Sequence, residues 1–252
     1  MFGRKIDSSL AEWQKSAIRK PLIIRGARQV GKTSVVRKFA HDNFGELLEI
    51  NLEKKEHYRM FDPSTGVDDF LQRVSLMFDK NVESGKTLLF FDEIQESQNV
   101  MELLRFFAEE KPDLHIIAAG SLLEDKMGSG WTIPVGRVEY MYLYPLTFFE
   151  YLQAKGKLKL LKKLQNLKLG DDFPAGELSK ELFKEYVRIG GMPEVVANFV
   201  NNGSYQEVKE ILTRLRVAYD DDIAKYAKSM PERKYLELVV EYSPKIAGGL
   251  YK

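Results

Sequence analysis

Cysteine is absent from the 252-residue chain, which excludes disulfides, thiolate metal sites and cysteine nucleophiles together and fits a reducing cytoplasm. Nor is there an excess of either charge: 38 basic residues face 37 acidic ones, a net of +1. That balance exerts no general pull on nucleic acid or an anionic membrane, so any such partner has to meet a local patch. Histidine is scarce. His41, His57 and His115 are scattered with no i,i+4 pair, which argues against a dedicated metal cage. Long apolar runs are missing as well: 88–91 and 116–119 are strand-length, far short of a bilayer, and the start of the chain has no signal-type apolar core. No repeat or low-complexity tract is present. These absences predict a soluble, cytoplasmic protein with no membrane partner. A hydrophobic content of 44% allows a sizeable core, in one large domain or two modest ones.

What is present is an alternation of short apolar runs with helical stretches. Runs at 22–24, 47–50, 88–91 and 114–119 are separated by helix-like patterns at 32–41, 68–79 and 99–109. That order predicts an α/β fold with a parallel sheet covered by helices on both faces. After about residue 145 helical patterns dominate, at 148–154, 158–169, 177–189 and 205–228, with breaks at 170–174 and 201–203. The division expected is a core over 1–145, a helical lid over 146–200 and a further helical segment over 201–252.

Gly26-Ala27-Arg28-Gln29-Val30-Gly31-Lys32-Thr33, followed by Ser34, matches G-x-x-x-x-G-K-[ST] between an apolar strand and a helix. Glycines let such a loop curl so that backbone N–H groups face phosphate oxygens, and the positive end of the next helix adds attraction. Lys32 is placed to reach the β and γ phosphates of ATP, and the Thr33 hydroxyl to ligate Mg²⁺. The plain alternative is a chance glycine-rich turn. The run Leu88-Leu89-Phe90-Phe91 ends in Asp92-Glu93. Ligands gather at the carboxyl ends of parallel strands, which places Asp92 in the metal shell and Glu93 as general base for an attacking water. Two helix-capping acids are the bland reading. Adjacent carboxylates argue against a small-molecule kinase, whose acceptor is a substrate hydroxyl. One whole strand, 47–50, lies in sequence between the loop and these acids.

These segments, with Phe91-Asp92-Glu93-Ile94-Gln95, Ala119-Gly120-Ser121, Ile133-Pro134-Val135-Gly136-Arg137, Tyr144-Pro145-Leu146-Thr147-Phe148-Phe149-Glu150-Tyr151-Leu152 and Gly190-Gly191-Met192-Pro193-Glu194, run in one family's order. The chain resembles the AAA+-superfamily ATP-binding proteins of bacteria and archaea in which the ATPase is followed by a winged helix and a C-terminal domain of unknown function. The resemblance implies a P-loop NTPase three-layer core with a helical lid, ATP and Mg²⁺ as ligands, and hydrolysis. It implies a sensor role near the γ-phosphate for Ser121, although Ser121 and Glu124 also spell a capping box. It implies an arginine finger acting on a neighbouring subunit for Arg137, against an ordinary ion-paired arginine, and hence a homo-oligomer. Asn51 could restrain Glu93 or simply end its strand. Gly190-Gly191-Met192-Pro193 resembles a G-x-P lid signature that stands in for the usual lid arginine in related signalling ATPases, with Arg188 close by as the alternative. The last ten residues resemble the approach to the winged helix, so a fragment or a shortened relative is expected.

The lysine-rich stretch 155–168 places Leu160, Leu161, Leu164 and Leu167 on one helical face; it reads as a phosphate or membrane contact, or as a lid helix with a solvated face. Three functions compete. One is an ATPase driving conformational change or assembly, another a nucleotide-sensing scaffold with little turnover, and the third a DNA-binding module ordered by ATP. A DNA or protein partner stays unassigned.

Overall fold

The computed structural model describes residues 2–59, 66–121, 134, 136–168, 170–227 and 229–246. Five parallel strands form one sheet: β1 (Leu22–Arg25), β2 (Glu46–Asn51), β3 (Thr87–Asp92), β4 (His115–Gly120) and β5 (Glu139–Tyr142), in the order β2-β3-β4-β1-β5. Strands β1, β3 and β4 are buried at every position, because helices cover both faces of the sheet. Their sequences are therefore continuous apolar runs, and alternate residues serve opposite layers.

Ile23, Leu89, Phe91, Ile116 and Ala118 pack on one face against α4 (Val67–Phe78) and α5 (Gln98–Glu110). There Phe70, Phe91 and Phe107 meet with ring centroids 5.7 to 6.3 Å apart. Leu22, Ile24, Leu88, Phe90, Ile117 and Ala119 pack on the other face against α1 (Ile6–Lys15) and α2 (Lys32–Asn43). The expected three-layer α/β core is what forms. The sequence patterns did not single out α1, whose Ile6, Leu10 and Trp13 are its only buried residues in ten. A short α3 (Lys55–Tyr58) follows β2. The spatial order also differs from the sequence order: the strand between β1 and β3 is β4, while β2 lies at the sheet edge.

Packing groups the chain into two compact units, Met1–Pro193 and Glu194–Lys252. The first includes helices expected as a lid, α6 (Phe148–Ala154), α7 (Leu158–Gln165) and α8 (Gly176–Ile189). In the lysine-rich stretch Leu160 is buried with Leu152 and Leu182, Leu161 and Leu164 pack against them, and Leu167 stays exposed. Its lysines 157, 159, 162, 163 and 168 face solvent. The second unit holds most of α9 (Pro193–Asn202), with α10 (Tyr205–Tyr226) and α11 (Met230–Ile246). Among the described residues no helix is long and apolar enough to cross a membrane.

Glu150, at the start of α6, ties the N-terminus to the lid. One carboxylate oxygen accepts from Arg4 Nε and from the Lys5 backbone N–H, both at 2.9 Å. The other accepts from the Thr147 backbone N–H at 2.7 Å and completes a capping box with that residue. Burial pushes the Glu150 carboxyl upward, but the Thr147 and Lys5 N–H donors and the Arg4 guanidinium outweigh it and hold the group below the usual glutamate range. A carboxylate depressed in this way contributes stability above its unfolded pKa and loses it as pH falls through the folded one. Glu150→Gln should cost about 3 kcal/mol in denaturant melts near pH 7, since it leaves the buried Arg4 charge without its partner. That gap should shrink as pH falls through the folded carboxyl's value, below the usual glutamate range; a gap unchanged by acid would refute the clasp.

Candidate active site

Six residues join β1 to α2, and three of them have positive φ: Gly26 at 155°, Gln29 at 62° and Gly31 at 93°. At Gly26 a Cβ would lie 2.2 Å from the Leu143 carbonyl oxygen, so only glycine lets the loop start this close to the end of β5. Val30 turns inward and is fully buried, while Ala27 and Gln29 face solvent. No side chain caps α2 and no acid lies in its first turn, so the positive helix end is suited to an anion. Lys32 is buried at 7% exposure, and its Nζ donates to the Gly26 and Ala27 carbonyls, each at 2.8 Å. Those carbonyls hold the ammonium within the loop. Arg28 is half-buried, and Ser34 is exposed one position beyond Thr33.

Thr33 Oγ1 donates to Asp92 Oδ2 at 2.9 Å, and Asp92 Oδ1 accepts from the Glu93 N–H at 3.2 Å. Asp92 is only 4% exposed. Burial pushes its carboxyl up to about 6; the Thr33 bond pulls the other way, and the nearby charges of Glu93 and Glu49 push further up. This buried carboxylate beside a hydroxyl oxygen is a setting that a hard cation would relieve. Together they are suited to the two protein ligands Mg²⁺ commonly takes before phosphate oxygens and water complete its shell. Glu93 adopts a left-handed backbone conformation, φ 56° and ψ 49°, at the turn out of β3. For a non-glycine residue that conformation costs about 1–3 kcal/mol, and such strain clusters at functional sites.

Other expected residues fall in different places. Ser121 follows β4, and its Oγ is buried without a hydrogen-bond partner. Glu124, its capping-box partner, and Ile133 and Val135 lie outside the described residues. Asn51 lies level with Asp92 on the neighbouring strand, yet its Oδ1 accepts from the Glu53 N–H at 2.9 Å. Its own N–H donates to His57 Nδ1. Arg137 is not brought to the site within this chain. It precedes β5, at the end of the sheet opposite the loop, and its Nε donates to Glu109 at 2.9 Å in an exposed ion pair. The lid motif does reach the loop: a Cβ at Gly31 would sit 3.7 Å from Pro193 Cγ. Arg188 is exposed on α8.

Two residues at the site were given no role by the sequence reading. Arg4 Nη1 donates to the Val30 carbonyl at 3.2 Å and Nη2 to the Tyr144 carbonyl at 2.6 Å, bracing the phosphate loop against the β5 end. No local signal marks it, since its partners lie 26 and 140 positions away. Gln95 is fully buried and bonded to Glu93. Its signal was a polar residue in a segment otherwise bound for the core.

Over 83 residues the chain is 31% identical to the replication factor C large subunit of Methanosphaera stadtmanae, a match covering 33% of this chain and 14% of that protein. The chain thus spans a small part of that relative's length. Among solved structures, C. elegans PCH-2 aligns over 82% of this chain and 68% of its own at 15% identity, with a TM-score of 0.44. A Thermotoga maritima RuvB variant aligns over 85% and 64% at 16% identity, also at 0.44. The family described as AAA domain matches residues 18–152, just over half of the chain, from ahead of β1 into α6, and the chain belongs to that family.

Proposed function

We propose that this protein is a Mg²⁺-dependent ATPase, and that hydrolysis times a conformational change or an assembly step. The observation that supports this reading most is the Thr33–Asp92 bond of 2.9 Å, because it sets the phosphate loop directly against the acidic end of β3. Lys32 and the first-turn N–H groups of α2 would hold the β and γ phosphates. Thr33 and Asp92 would hold Mg²⁺, which when bound offsets charge on the phosphate oxygens. Glu93 then accepts a proton from water as the water oxygen bonds to the γ-phosphorus. The bond from that phosphorus to the bridging oxygen breaks, and ADP leaves with the electron pair. The buried, unpartnered Ser121 Oγ supplies a donor for a phosphate oxygen. In this reading residues 1–145 form the catalytic core, 146–200 the lid that senses occupancy, and 201–252 a helical arm.

Glu93→Gln should lower phosphate release by about 10²–10⁴-fold while ATP binding persists, and Lys32→Ala should abolish both. Parent-like turnover in Glu93→Gln would sink the base assignment. Tight ATP binding with no phosphate release from the parent would instead make the protein a nucleotide-sensing scaffold.

Since Arg137 lies far from its own chain's loop, a finger role requires a second copy. The rate per chain should then rise with protein concentration, and Arg137→Ala should flatten that rise. A rate per chain independent of concentration removes the finger and leaves Arg137 as the partner of Glu109.

A further inference from the structure

Gln95 lies in the single 3₁₀ turn Ile94–Glu96 that follows Glu93, and it is completely buried. A buried amide has to be matched group by group, and this one is matched at both ends. Its Nε2 donates to Glu93 Oε2 at 2.6 Å, and its Oε1 accepts from the Ser121 backbone N–H at 3.3 Å. The amide orientation is set by chemistry: a backbone N–H only donates and an ionised carboxylate only accepts. Next to it Ile94 is fully buried in the sheet core, which anchors the turn.

We propose that Gln95 is a positioning residue, which fixes the Glu93 carboxylate against the end of β4 so that the base and Ser121 keep a set geometry. The role rests on Glu93 being the base of the ATPase reading above. Three observations carry it. Glu93 leaves β3 in a left-handed backbone conformation, outside the regular alternation that fixes side chains along a strand. Asn51, the residue that the sequence places beside the acids, has its Oδ1 engaged with the Glu53 N–H. Ser121 uses its N–H on Gln95 while its Oγ stays buried and unbonded. The chain Ser121–Gln95–Glu93 thus joins the residue suited to feel a phosphate oxygen to the residue suited to deprotonate water.

The test is steady-state ATPase and separate ATP binding for Gln95→Leu and Gln95→Met, alone and combined with Glu93→Gln. Both substitutes keep the volume and lose the hydrogen bonds. Each should lower kcat by about 10- to 100-fold, the scale of a misplaced catalytic group. KM, ATP affinity and magnesium dependence of binding should stay within about twofold, because a purely positional loss touches the transition state alone. In the Glu93→Gln background neither substitution should lower the residual rate further. An unchanged kcat in a folded variant, KM moving with kcat, or an equal loss in both backgrounds overturns the proposal. Should Gln95→Leu fail to fold, Gln95→Met decides, as an unbranched side chain of similar length. If Glu93→Gln alone leaves turnover intact, the assignment of Glu93 as base has failed, and the positioning role that rests on it falls too. If Glu93→Gln abolishes turnover and Gln95→Met leaves kcat unchanged, only the positioning role falls.

Discussion

The site depends on a link between two strands that do not touch. Strands β1 and β3 are separated by β4, yet the Thr33 hydroxyl at the start of α2 reaches Asp92 at the end of β3. Neighbouring strands are about 4.8 Å apart, so this reach spans roughly two strand spacings and requires the loop to lean across β4. The left-handed backbone of the phosphate loop permits that lean, and the close approach of Gly26 to Leu143 holds the loop's other side. The end of β4 that lies between them is made of small residues, Ala118-Ala119-Gly120.

Strain and burial are concentrated at that crossing. Gln29 and Glu93 are two of the three non-glycine residues with positive φ among the described residues, and each borders the crossing. Asp92 is ionisable and nearly inaccessible, a costly condition that a purely structural strand end would not need. The surrounding core over-determines both: Phe90 and Phe91 are locked in opposite layers, so Asp92 has no freedom to turn away.

The second constraint is long-range hydrogen bonding around the site. Arg4 touches the phosphate loop, the end of β5 and Glu150 at once. Glu150 in turn caps α6, and the Leu146 N–H donates to the Gly191 carbonyl at 2.6 Å. Through these bonds the N-terminal segment, the loop and the lid motif share one frame.

Much of this could be read from the residues alone, where the physics is local. Apolar runs and helical periods specify β1, β3, β4, α2, α4 and α5, because a strand buried on both faces must be apolar throughout. The loop from Gly26 to Thr33 and the Asp92-Glu93 pair announce their chemistry through spacing, since the turn needs its glycines and the strand end its acids. Tertiary structure decided the rest, for reasons of distance along the chain. It put β4 rather than β2 between β1 and β3, engaged Asn51 in its own turn, and set Arg137 at the opposite end of the sheet. It gave Gln95 and Arg4 their places at the site. A side chain's partners across tens of residues follow from strand order and packing, and no local pattern encodes those.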